Sequence, residues 1–225
     1  MSVFIEKDDY LNFEKPYREL MRILQEDDEE NIKAKLKQIT KKESLEEIEC
    51  LKIRINSEDS IVRRGSRWLP FLKILNLTGS KLDTLRKLGT DLKALEILII
   101  NDCGLNDLDG IENLCNLKTI QATDNNITDI FNCIFLDELQ SLDLQNNAIS
   151  KIKDIECLTL CNNLKSLNLL DNPICKILQS LREDNDIHKW ISRQLLPKLQ
   201  YIEKLSLSSL LLSQTSHIKS NIENI

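Results

Sequence analysis

One spacing constrains this chain more than anything else in it. Leucine or another small aliphatic residue recurs at positions 1, 4, 6 and 11 of a unit that returns along the middle of the sequence. The copies are Leu72, Leu75, Leu77, Leu82; Leu95, Leu98, Ile100, Leu105; Leu117, Ile120, Ala122, Ile127; Leu139, Leu142, Leu144, Ile149; and Leu164, Leu167, Leu169, Ile174. Their starts are 23, 22, 22 and 25 residues apart. Position 9 holds a small polar residue: Ser80, Cys103, Asn125, Asn147 and Asn172.

A unit this short cannot enclose a core by itself. It buries its aliphatic positions only when the next unit stacks on it, so stability is assembled from neighbour interfaces. The pattern LxxLxLxxNxL at about 22 residues is that of a leucine-rich repeat. It predicts an α/β leucine-rich repeat solenoid, a right-handed β-α superhelix with a helical N-terminal cap and a C-terminal cap. Positions 1, 4, 6 and 11 point inward, whereas 3, 5 and 7 alternate outward from a short strand. Asn at position 9 has a structural task, because its amide can satisfy backbone groups where the chain leaves the strand. Ser80 and Cys103 are small enough to keep that turn with a weaker hydrogen bond.

The ends read as seals. Residues 1–44 form an expected N-terminal helical cap, 45–205 the repeat domain with a C-terminal cap from about 186, and 206–225 a tail. In the first segment one helix is predicted from about Pro16 to Gln25, with Leu20, Met21 and Leu24 inward. A second follows the acidic stretch Glu26 to Glu30. Lysines 33 to 42 suit its C-terminal end, and Ile32, Leu36 and Ile39 share one face. Leu45, Ile48, Cys50, Ile53 and Ile55 outline a degenerate opening unit, with a long loop from Asn56 to Trp68. Asp186 caps a predicted helix carrying Ile187, Trp190, Ile191 and Leu195, which Pro197 ends; Leu199, Ile202 and Leu205 make a last partial strand.

Composition narrows the function classes. Lys plus Arg is 30 against 36 Asp plus Glu, a net charge of −6, which disfavours a phosphate-backbone binder. The two histidines, His188 and His217, are too few for most Ser–His triads and His-rich metal sites, and the five glycines form no phosphate-cradling loop. Cys157, Cys161 and Cys175 lack the close CxxC pairs of a zinc site and suit small core positions instead. The start, Met1 to Tyr10, is acidic and lacks a signal peptide's order, and no apolar run nears the roughly 20 residues that span a bilayer. A cytoplasmic protein with reduced cysteines is expected. The residues point to a binder without catalysis, cofactor or metal.

The outward strand positions are the expected protein-binding surface. Position 3 reads Ile74, Ile97, Thr119, Ser141 and Ser166; position 5 reads Asn76, Ile99, Gln121, Asp143 and Asn168; position 7 reads Thr78, Asn101, Thr123, Gln145 and Leu170. Ile74, Ile97 and Ile99 make an apolar N-terminal edge for a protein partner, unless the N-terminal helices fold over it. Asp102, Asp124 and Asp171 at position 8 line one rim or simply support the turn. Arg63, Arg64 and Arg67 around Trp68 form the one basic patch with an aromatic, best read as solvated loop charge and otherwise as a contact for RNA or an acidic partner.

Beyond the generic framework, residues 45–205 resemble the leucine-rich repeat-containing protein 56 family. The resemblance lies in "LPFLKILNLTGSKLDTLRKLGTDLKALEIL" (69–98), "CGLNDLDGI" (103–111), "NNITDI" (125–130), "CLTLCNNL" (157–164) and the closing "QLLPKLQYIEKL" (194–205). It implies a ciliary and flagellar protein tied to outer dynein arm assembly and transport. The expected partner is therefore a dynein-arm or intraflagellar-transport component, with no nucleic acid or membrane and with the chain as a monomer. Family members often carry a long C-terminal extension, whereas this sequence stops at Ile225. The 22-residue unit also resembles the phosphatase-1 regulatory subunit class and the U2 spliceosomal A′ protein. The first of these uses aromatic and acidic residues on its inner face, where positions 5 and 7 here supply only Asp143.

Overall fold

The computed structural model describes residues 29–56, 61–88 and 90–180. The expected helix at 16–25, the C-terminal cap, His188 and the tail lie outside them. Six three-residue strands form one parallel sheet in chain order: β1 Cys50–Lys52, β2 Ile74–Asn76, β3 Ile97–Ile99, β4 Thr119–Gln121, β5 Ser141–Asp143 and β6 Ser166–Asn168. The sheet is open, and each strand returns to the next through a short helical turn. These returns are mostly 3₁₀ (Leu85–Leu88, Ile111–Asn113, Phe131–Phe135 and Cys157–Leu160). The register pairs the same repeat position in every unit: Leu75 with Leu98, Leu98 with Ile120, Ile120 with Leu142, and Leu142 with Leu167. A leucine-rich repeat solenoid is therefore what the chain forms.

The period-two expectation for the strands holds. Positions 1, 4, 6 and 11 are buried in each of the five units, while positions 3 and 5 flank position 4 with part of their surface open, Asn168 excepted. The core is one continuous aliphatic stripe from Ile32 to Ile174. Units meet across it through leucines, and truncating one such side chain to alanine typically costs about 2–5 kcal/mol.

Backbone polarity is settled by position 9. The Asn147 amide donates from Nδ2 to Ala122 O at 2.8 Å in the preceding unit and to Leu144 O at 3.0 Å in its own; its Oδ1 accepts from Ile127 N at 3.0 Å. Asn172 repeats this on Leu144 O, Leu169 O and Ile149 N. Asn125 does so on Ile100 O, Ala122 O and Leu105 N. One side chain thus closes its own turn and grips the preceding unit. The substitutions at this position work differently. Ser80 Oγ accepts from Ile55 N at 3.0 Å. Cys103 Sγ donates to Leu77 O at 3.2 Å, and Leu82 N turns to the backbone carbonyl of Cys103 at 3.0 Å.

Position 8 reveals a second requirement. Gly79, Asp102, Asp124, Asn146 and Asp171 all have positive φ, between 53° and 75°. Gly, Asn and Asp are the residues that enter this left-handed region most readily. The aspartates at 102, 124 and 171 are therefore turn residues first.

The opening unit departs from expectation in two respects. Leu51, not Cys50, is the inward strand residue, since Leu51 pairs with Leu75 and is 3% exposed, while Cys50 sits at an outward position. The expected loop before Leu69 contains a helical turn, α2 (Ile61–Gly65), followed by 3₁₀ residues Ser66–Trp68. The short apolar pair Ile61–Val62 is buried and gives that segment a reason to order. The preceding helix, α1 (Glu29–Thr40), buries Ile32 and Leu36 as anticipated and packs Leu36 against Gly65.

Asn147→Ala strips two units of a shared partner and should lower unfolding free energy by at least about 2 kcal/mol in urea titrations. Cys103→Ala should cost less than half as much, because Leu82 N keeps its acceptor.

Candidate functional site

The open face of the sheet is assembled by three rows of side chains. Ile74 and Ile97 stand side by side through the β2–β3 register, and Ile99 lies in the neighbouring row beside Asn76 and Gln121. All three isoleucines are half-buried, so they remain accessible as one apolar patch across two strands. Helix α1 packs on α2. Toward the C-terminal end the same rows become Thr119, Ser141, Gln121, Asp143, Thr123 and Gln145. The face grades from apolar to polar, with Asp143 the one charged residue among these six.

Several expected binding residues also hold the strand ends. Asn76 Oδ1 accepts from Thr78 N at 3.0 Å, Asp143 Oδ1 from Gln145 N at 3.1 Å, and Asn168 Oδ1 from Leu170 N at 3.1 Å. Asn101 Oδ1 accepts from Thr123 N at 2.9 Å across the unit boundary. An Asx-type bond two residues on is a familiar local role for Asn and Asp. Asn168 is 8% exposed and its Nδ2 donates to Gln145 Oε1 at 3.4 Å, so it offers a partner little surface. At the rim, Asn146 Nδ2 donates to Asp124 Oδ1 at 2.8 Å and Gln145 Nε2 to Asp171 Oδ2 at 3.2 Å. These contacts fix the rim and leave Ile74, Ile97, Ile99, Thr119, Gln121 and Ser141 among the strand residues of the face without such a turn-holding bond.

One edge of the face carries a charge ladder that sequence reasoning missed. Position 2 reads Glu49, Lys73, Glu96 and Lys118 in adjacent units. Lys73 Nζ lies 2.9 Å from Glu49, and Lys118 Nζ 3.0 Å from Glu96. The Lys73 ammonium lowers the Glu49 pKa, chiefly through their hydrogen bond; Glu49, and then Glu96, raise that of Lys73. These pairs are exposed and stabilise little, but alternating sign disfavours slipped register.

Arg67 and Trp68 of the basic patch are already engaged. Arg67 Nη1 is 2.7 Å from Glu29, while Arg67 and Lys33 approach the Trp68 ring at 5.5 and 5.0 Å. Among the described residues no three His, Cys, Asp or Glu side chains gather as metal ligands, and no helix is long and apolar enough to cross a membrane. The seven cysteines are free thiols. Cys157 donates to Asp154 O at 3.3 Å, Cys161 to Cys133 O at 3.5 Å and Cys175 to Leu169 O at 2.9 Å. Burial pushes Cys103 and Cys157 up to about 11 and Cys133 well above the ordinary value.

A family model for the leucine-rich repeat matches residues 53–196. The chain belongs to the leucine-rich repeat family. Within that class it is similar to human leucine-rich repeat-containing protein 56, at 32% identity over 177 residues, covering 76% of this chain and 32% of the human protein. It is also similar to the probable U2 small nuclear ribonucleoprotein A′ of Caenorhabditis elegans, at 29% identity over 105 residues, 46% of this chain and 42% of that protein. Among solved structures, a leucine-rich repeat protein of Leptospira interrogans superposes with a TM-score of 0.51 at 24% identity, covering 69% of this chain and 36% of that one, which supports the fold. The chain spans about a third of the length of the human relative.

Two measurements follow from the thiols. Ellman's reagent at pH 7 should label exposed Cys115 quickly and the buried Cys103, Cys133 and Cys161 only on unfolding. A thiol whose folded pKa is raised stabilises the fold below its unfolded pKa and loses that contribution as pH rises. The urea midpoint should therefore stay level up to ~8.5 and fall as pH climbs toward about 11. Replacing Cys103 and Cys157 by alanine should flatten that fall.

Proposed function

We propose that this chain is a non-enzymatic protein-binding scaffold whose open sheet face seats a polypeptide partner, acting in cilium or flagellum assembly as an adaptor for outer dynein arm assembly or intraflagellar transport. The observation that carries the binding role is the accessible Ile74–Ile97–Ile99 patch on an otherwise well-satisfied solenoid. Six strands about 4.8 Å apart give a ribbon roughly 25 Å long, enough for a helix or an extended peptide. The ciliary assignment is supported by the similarity to leucine-rich repeat-containing protein 56 over three quarters of the chain. In this reading the protein works in the cytoplasm and at the axoneme, takes no cofactor, and meets neither nucleic acid nor membrane. The proposed organisation is a helical cap over 1–44, repeats over 45–205 with a cap from about 186, and a tail.

A second reading, an RNA-processing module, is supported by the similarity to the worm A′ protein. A tagged full chain separates the two: accumulation along cilia favours the first, and confinement to the nucleus the second.

The binding face is tested by Ile97→Asp with Ile99→Asp. Since both side chains are only half-buried, the thermal melt should change little. Recovery of outer-arm dynein or transport components from ciliated cells should fall more than tenfold, the size of effect expected for a central apolar anchor. Undiminished recovery by a folded double variant would place the contact elsewhere.

A further inference from the structure

The back of the solenoid, opposite the sheet, carries a feature that the repeat does not require. Phe131, Phe135 and Leu160 are 52%, 53% and 61% exposed. Phe131 and Phe135 lie in one 3₁₀ return with ring centroids 6.2 Å apart at 84°, edge to face. Phe135 precedes Ser141 by the same interval as Leu160 precedes Ser166, and Ser141 pairs with Ser166. The two side chains therefore occupy one repeat position in adjacent units. In the two preceding units that position holds Asn113 and Asp91, and Phe131 is flanked in register by Asp109 and Glu156. Polar residues satisfy the fold there. Single exposed apolar side chains are ordinary, whereas Phe135 and Leu160 in register on consecutive units, with Phe131 edge to face on Phe135, make an apolar patch. Trp68 shares the Phe135 position in the opening part of the chain, but it is half-buried beneath Lys33 and Arg67.

We propose that this patch is a second docking surface, separate from the open sheet face, and that its occupant is a cationic amphipathic helix of a protein partner. Charge selects the partner. Asp129, Asp137, Glu138, Asp154 and Glu156 surround the patch in sequence and register, against Lys151 and Lys153. Asp109 is already held by Arg86, with Nη2 2.8 Å from Oδ1. The surround is acidic and suits Lys and Arg on the flanks of an apolar stripe. Backbone geometry selects a helix over a strand. The returns satisfy their own amides, as in Leu136 N to Cys133 O at 3.1 Å and Cys161 N to Leu158 O at 3.1 Å, so there is no strand edge to extend. Side-chain anchors spaced along a helix are the mode that remains. A second copy of this chain, at net charge −6, would bring the same sign, and anionic lipid headgroups would be repelled.

The test uses the full chain and two synthetic 18-residue helices with one leucine face, one with lysine and one with glutamate opposite. Fluorescence anisotropy should show the Leu/Lys peptide binding at least tenfold more tightly than the Leu/Glu peptide. Phe135→Asp with Leu160→Asp, and separately Phe135→Ser with Leu160→Ser, should each weaken the Leu/Lys peptide at least tenfold without shifting the thermal melt. Ile97→Asp with Ile99→Asp should leave it bound. Equal binding of the two peptides, or undiminished binding by both folded back-face variants, overturns the proposal. So does a wild-type dimer in sedimentation that Phe135→Ser with Leu160→Ser dissolves, which would make the occupant a second copy. Flotation with phosphatidylcholine vesicles, lost in the same variant, would make it a membrane and overturn it equally.

Discussion

The side-chain amide at position 9 is the contact on which the rest of this solenoid depends. Each unit leaves its strand by a tight turn that strands carbonyls and amides inside an aliphatic core, where unpaired polar groups are costly. Asn125, Asn147 and Asn172 meet that need with both ends of the amide, binding carbonyls of two successive units and an amide of the earlier one. Stacking and turn formation are thereby one event. A unit cannot satisfy its own backbone until its neighbour is present, the local form of the nearest-neighbour stability expected of repeat arrays. No buried side-chain nitrogen or oxygen among the described residues lacks a partner.

Because the inward stripe is uniformly aliphatic, chemical individuality is confined to outward positions, and there the fold still takes a share. Position 8 must be left-handed, which commits Asp102, Asp124 and Asp171 to the turn. Position 5 often holds the strand end, which commits Asn76, Asp143 and Asn168. What the fold leaves uncommitted is smaller than the full inner surface: Ile74, Ile97 and Ile99 at one end, with Thr119, Gln121 and Ser141 beside them.

Much of this was legible in the sequence because a strict period leaves few alternatives. The spacing alone identifies Leu75, Leu98, Ile120, Leu142 and Leu167 as the inward strand residues of successive units. The signal fails where the period breaks. In the opening unit the series Leu45, Ile48 and Cys50 is three residues out of frame, and only strand pairing of Leu51 with Leu75 shows that Ile48, Leu51 and Ile53 take positions 1, 4 and 6. The helical turn at Ile61–Gly65 has too few residues to show periodicity. The left-handed requirement at position 8 was visible as a column of Gly, Asp and Asn, but reading it needs each unit aligned on its turn. Phe131, Phe135 and Leu160 fall between framework positions, where one sequence gives no reason to compare neighbours until the register does.

The central claim is that the position-9 amides of Asn125, Asn147 and Asn172 each join their unit to the one before it. Native-state hydrogen exchange at Ile127 N and Ile149 N, which donate to Asn147 Oδ1 and Asn172 Oδ1, measures this directly. The account predicts that these two amides, although they lie outside the strands, exchange as slowly as the strand amides and open only with the whole array. Exchange at loop rates while the strand amides stay protected would contradict it.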